Sequence, residues 1–298
     1  MVAGVVLLLL IIAAFLLIPL FIALYFFNKR KKTRRNPLTT NLLRGPGETI
    51  RKELECISEK IDDFFLLIFG VAITSPFILL FVLQSGDSSS NGWQFGVVIV
   101  CYGLIITGLT WWFYRTLRHR QDLYLGLDAE LAVGQELNAL MFSGFRVFHD
   151  LPAENFNIDH VVVGPSGVFA VETKGRPKPI KGRGKVDAKV FSDGEVLKFP
   201  DWNETEPLEQ ARWQAKWLSK WLSSAVGQPV SAKPVLALPG WFVEMTKRSD
   251  VIVYSGKSPQ FFSKLQTGEP LSESQILSIA HQLEQRCRDV APSAYQKR

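Results

Sequence analysis

The chain has 298 residues, 47% of them hydrophobic, a net charge of +6, a mean hydropathy of +0.11 and a pI near 9.2. That hydropathy is high for a purely soluble protein and low for a many-span transporter, and the length allows one or two domains. Cys56, Cys101 and Cys287 lie far apart with no Cys-x-x-Cys or Cys/His spacing, which argues against a disulfide framework and a structural zinc site. The basic balance suits nucleic acid or anionic lipid as partner without deciding between them.

The apolar residues gather in the first 114 positions. Residues 1–27 hold an uncharged run from Val2 to Phe27, about 39 Å long as a helix. It lacks the basic start, short apolar core and small-residue cleavage site of a signal peptide, so it reads as a retained transmembrane helix. Residues 28–63 form a basic linker that ends in an amphipathic helix, with Ile50, Leu54, Ile57 and Ile61 on one face. Residues 64–83 and 93–114 are two further uncharged runs of spanning length. Basic residues crowd positions 29–35 and 115–120, whereas the polar turn at 84–92 has no Lys or Arg. The positive-inside tendency then predicts a multi-pass protein of the cell (inner) membrane, with its N-terminus outside and its C-terminal part cytoplasmic. The spans carry no ionisable side chain, so anchoring is their expected role.

From about residue 120 the chain reads as a globular α/β domain reaching residue 298. A helix is expected over 126–142, with Leu131, Val133, Leu137 and Leu140 as its apolar stripe and Gly144 as its stop. Strands follow at 145–150, 157–163 and 168–174, the last two joined by Gly164-Pro165-Ser166-Gly167 as an antiparallel hairpin. If Val163 pairs with Val168, Asp159 falls opposite Glu172. Opposed Cβ atoms lie about 5 Å apart, and two carboxylates there repel by about 3 kcal/mol at an effective dielectric near 20. A divalent cation held by both would compensate, and Lys174 on the same face as Glu172 would hold a water or phosphate oxygen beside it. A surface hairpin with a plain cross-strand salt link is the alternative. The nearly continuous apolar flanks, Val161 to Val163 with Phe169 and Val171, favour a strand pair buried on both faces, where three charges are costly.

The stretch Asn157 to Lys174 resembles the core of the NERD (nuclease-related) domain, a family within the PD-(D/E)XK nuclease-like fold. Ala129-Glu130 is similar to the family's Gly-Glu helix, with Ala for Gly. Glu206-Pro207-Leu208-Glu209-Gln210 is similar to its Asn-Pro-x-x-Gln helix start, with Glu for Asn. The resemblance covers about residues 126–254. It implies a restriction-endonuclease-like domain with a central mixed β-sheet flanked by helices. It also implies Asp159 and Glu172 as ligands of Mg²⁺ or Mn²⁺, Lys174 as the residue that orients the attacking water, and Glu130 and Gln210 as further members of the site.

Residues 175–185 place Arg176, Lys178, Lys181, Arg183 and Lys185 in a Gly/Pro-rich loop after Lys174, suited to nucleic-acid phosphates or to solvent and acidic headgroups. The helix at 209–223 sets Gln210, Trp213, Trp217 and Trp221 on one face and Arg212, Lys216 and Lys220 on another. Core packing against the sheet is the leading expectation for the tryptophans, ahead of base stacking or a membrane interface. Strands at 233–239 and 250–255 and a helix at 272–290 complete the domain. The four histidines show no metal or nucleophile spacing, and His160 should face away from Asp159. The reading is a membrane-anchored, divalent-metal-dependent nuclease acting on DNA or RNA, or alternatively a nucleic-acid-binding or membrane-surface scaffold that keeps the fold without turnover.

Overall fold

The computed structural model describes residue 25 and residues 36–84, 92–179, 188–265 and 269–292. The chain divides into a small unit, Met1–Leu43 with Arg288–Arg298, and a large one, Arg44–Cys287. In the small unit Leu42 and Val290 exchange backbone hydrogen bonds at 2.7 and 3.2 Å.

The large unit opens with two long helices, α1 (Glu48–Gln84) and α2 (Gly92–Asn138). They run antiparallel. Glu53 meets His119 at 3.0 Å, and the Phe64 and Phe113 rings stack at 4.6 Å. The amphipathic face of α1 buries Leu54, Ile57, Ile61 and Phe64. The expected linker helix and second span are one continuous helix. Likewise the third run continues without a break into the first helix of the globular part, with no proline between them to end it. Among the described residues no helix is long and apolar enough to cross a membrane, so the three expected transmembrane helices are not supported. The first run lies outside the described residues except for Tyr25, as do the basic flank at 29–35 and most of the polar turn.

A five-stranded mixed sheet forms the centre, in the order β1 (Arg146–Pro152), β2 (Asn157–Gly164), β3 (Gly167–Thr173), β7 (Ala232–Ala237), β9 (Ile252–Tyr254). The first three strands are antiparallel, and β3, β7 and β9 are parallel. Successive side chains of β2 and β3 point to opposite faces, and both faces are covered. Val161, Val163, Val168 and Ala170 pack with Leu218 and Leu222 of α3 (Glu206–Val226) and with Ile279 and Leu283 of α4 (Glu273–Cys287). Val162, Phe169 and Val171 pack with Val133, Leu137 and Leu140 at the α2 end and with Phe262. A second sheet, ordered β6 (Asn203–Glu204), β5 (Leu197–Lys198), β4 (Lys189–Ser192), β8 (Phe242–Met245), closes on Trp241, Phe199 and Val251. Its strands of two to four residues leave too little alternation to read in the sequence.

The buried face of α3 is Leu208, Ala211, Gln214, Ala215, Leu218 and Leu222. The expected tryptophan face is therefore off by part of a turn. Trp217 and Trp221 are half-buried at its edge, and Trp213 is 42% exposed.

The β2–β3 turn shows the register expected from its two-residue loop, from Gly164 opposite Gly167 to His160 opposite Val171. Gly164 has no room for a side chain, since a Cβ there would overlap the Phe145 ring. Gly164→Ala is expected to destabilise the chain by about 1–3 kcal/mol through overpacking, read as a lower urea midpoint with unchanged slope.

Candidate active site

The β2–β3 ladder stops at His160 and Val171. One step beyond it stand Asp159 and Glu172, buried to 6% and 2% exposure. In place of a ladder bond, the Thr173 amide donates to Asp159 Oδ2 at 2.7 Å. Glu172 Oε1 accepts an ion pair from Lys174 Nζ at 2.7 Å, and Oε2 accepts from Gln214 Nε2 at 2.7 Å. Lys174 is held at the strand end by its amide, which donates to the Ala237 carbonyl at 3.0 Å. Glu130 reaches the group from α2, 6% exposed, and takes a hydrogen bond from the Gly47 amide.

Three carboxylates in a dry pocket with one ammonium must take up protons or a cation. Burial, then the charges of Asp150 and Glu172, push the Glu130 carboxyl up to about 8. Burial, then Glu172 and Glu130, hold Asp159 well above the usual carboxylate range. Glu130 Oε2 and Gln214 Oε1 are buried without a partner among the described residues. An all-oxygen donor set with unsatisfied acceptors fits a hard dication of the Mg²⁺ or Mn²⁺ type. Among the described residues, however, no group of three or more His, Cys, Asp or Glu is placed to hold a metal ion. At Glu172 each oxygen already accepts one bond, from Lys174 and from Gln214.

The amide that touches Glu172 belongs to Gln214, one turn beyond the expected Gln210. Gln214 Nε2 also bonds the Asn157 carbonyl at 3.2 Å, tying α3 to the start of β2. Positions 210 and 214 are four apart and share a helix face, so periodicity does not choose between them.

Of the five basic loop residues, Arg176 is engaged by Glu204 through a two-pronged contact at 2.8 Å. Lys178 bonds the Gly240 carbonyl and lies over the Trp241 ring. Lys181, Arg183 and Lys185 fall outside the described residues.

His160 turns away from Asp159 and meets His149, Nδ1 to Nδ1, at 2.9 Å, while His149 Nε2 lies 3.1 Å from Asn138 Oδ1. Since Asn138 Oδ1 only accepts, His149 carries its proton on Nε2, and His160 donates from Nδ1. Burial pushes the His149 imidazole down to about 4 and His160 well below its ordinary range. Both rings are neutral and structural.

No curated protein and no solved structure matches the chain. Residues 125–239 match the NERD family model, whose boundaries enclose Glu130, Asp159, Glu172, Lys174 and Gln214. That match, with the carboxylate-lysine cluster in its middle, is consistent with a nuclease-related domain over residues 125–239.

Proposed function

We propose that this protein is a membrane-attached, divalent-metal-dependent nuclease that hydrolyses phosphodiester bonds in DNA or RNA. The observation that carries the reading is the buried cluster Glu130, Asp159 and Glu172 with Lys174 Nζ 2.7 Å from Glu172, set in a NERD domain. Asp159 and Glu172 would hold Mg²⁺ or Mn²⁺, which when bound supplies Lewis-acid polarisation of the phosphoryl oxygen and a hydroxide near neutral pH. With a dication on Glu172, the Lys174 ammonium would be free to orient the attacking water and offset charge on the phosphate. Gln214 keeps Glu172 in place from α3. Glu130 provides a further acidic contact.

Membrane attachment is supported by the apolar side chains that the helix pair leaves exposed, Phe65, Leu66 and Ile68 on α1 and Ile99, Val100 and Leu104 on α2. Burying such side chains in lipid is worth about 1.5–3 kcal/mol each. Arg115, Arg118 and Arg120 follow directly in α2, which suits a cytoplasmic membrane surface. The bonds that Lys174 and Gln214 already make to Glu172 favour a second reading, a nucleic-acid-binding or scaffold module without turnover.

The intact chain in detergent, incubated with plasmid, linear and single-stranded DNA and with RNA, should cut with Mg²⁺ or Mn²⁺ and not with EDTA. Asp159→Asn and Lys174→Ala should each lower the rate by at least about a hundredfold. Binding without cutting would leave the scaffold reading in its place.

The metal-free protein should also show a distinctive pH dependence. Glu130 titrates near 8 when folded against 4.5 when unfolded, so the folded state holds a proton that the unfolded state has lost. Stability from this group therefore falls as pH rises through that window. Below about pH 6.5 the depressed histidines act with the opposite sign, so the fall should be clearest from about pH 6.5 to about 8. Melting temperatures in EDTA should drop across that range, and Glu130→Gln should flatten the slope.

A further inference from the structure

Residues 44–49, well outside the matched domain, lie across α2 at the level of Glu130. Pro46 packs on Gly134 so closely that a Cβ there would stand 2.6 Å from Pro46 Cγ. Gly47 is buried with φ +71°, a backbone conformation that favours glycine, and its Cα faces the Leu127 side chain. That conformation aims the Gly47 amide at the Glu130 carboxylate.

The same segment closes on Asp150. This residue is fully buried, has φ +50°, and sits in β1 between the pairs His149–His160 and Leu151–Ile158, hence across from Asp159. Three donors converge on Asp150 Oδ2: Arg44 Nη1 at 2.7 Å, the Thr49 amide at 2.8 Å and the Thr49 hydroxyl at 2.8 Å. Asn157 Nδ2 donates to Oδ1 at 2.6 Å. Without Arg44, Asp150 would keep only neutral donors and stand as an unpaired buried charge near Glu130, which is costly enough to rearrange its surroundings.

We infer that residues 44–49 are a positioning element of the NERD site: Gly47 holds Glu130, while Arg44 neutralises Asp150 and Thr49 hydrogen-bonds it, so that the carboxylate cluster is correctly set only when the start of α1 is docked. The inference rests on the nuclease reading for its effect on rate, and on geometry for the link itself. Thr49 lies in the first turn of α1, so the docking of that helix and the placing of Glu130 are one event.

The test uses the full chain with Arg44→Met, the milder Arg44→Lys, and Arg44→Met combined with Asp150→Asn. Mn²⁺ affinity by calorimetry, turnover and KM for nucleic acid, and exchange protection of the Gly47 amide are measured on each. Arg44→Met should weaken Mn²⁺ binding and lower turnover at least about tenfold with KM unchanged, as expected when a reacting group is misplaced. Arg44→Lys should fall between, and Asp150→Asn in the Arg44→Met background should recover most of the loss. The Gly47 amide should be protected in the parent and freed by Glu130→Ala and by Arg44→Met. A folded Arg44→Met protein with parental Mn²⁺ affinity and turnover would overturn the inference and make the segment a strut. Should the parent neither bind Mn²⁺ nor cut, the nuclease reading fails. The link is then judged on the amide, and a Gly47 amide still protected in Glu130→Ala would overturn it too.

Discussion

Charge buried in the middle of a sheet governs this domain. β2 and β3 are covered on both faces, so Asp159 and Glu172 have no water to turn to at the end of their ladder. Every neighbouring element answers to them. α3 sends Gln214, the strand end sends Lys174, the Thr173 amide forgoes a backbone partner, and α2 brings a third carboxylate. A cluster that only stabilised the fold would be better built from apolar residues of similar volume, because ion pairs in such settings seldom repay their desolvation. Its persistence inside two layers of hydrophobic packing is the physical reason to look for chemistry there.

The opposite faces of the sheet show how the same problem is solved without chemistry. The His149–His160 pair is buried as deeply but is uncharged, and His160 donates its Nδ1 proton to His149 Nδ1. Asp150 is charged and buried, yet four donors satisfy it. Beside these two, Glu130 stands out as unfinished, its Oε2 without a partner among the described residues.

The hairpin was legible in the sequence because a two-residue loop between glycines fixes the register, and the register fixes which carboxylates approach each other. The helices before and after it were legible in place and only partly in phase. Gln210 and Gln214 share a face, and the tryptophans that mark α3 in the sequence line its edge rather than its core. The continuity of α1 and α2 was not legible, because the composition changes at Asp63–Phe64 and at Tyr114–Arg115 without a change of element. The Arg44–Asp150 pair joins residues 106 apart, and no local pattern announces a contact of that kind.

The unbroken course of α2 constrains how the chain can vary in length. Its 47 residues span about 70 Å, with Phe113 stacked on α1 near the middle and Glu130 in the carboxylate cluster toward the C-terminal end. Each residue of a helix advances the side-chain direction by about 100°, so one residue added or lost between those positions would swing Glu130 away from the sheet or unseat Phe113. An insertion of about seven residues, close to two whole turns, would keep both in phase while moving them apart. Insertions and deletions in this stretch are therefore tolerable only in near-integral turns, a quantised spacing that an ordinary flexible linker would not impose.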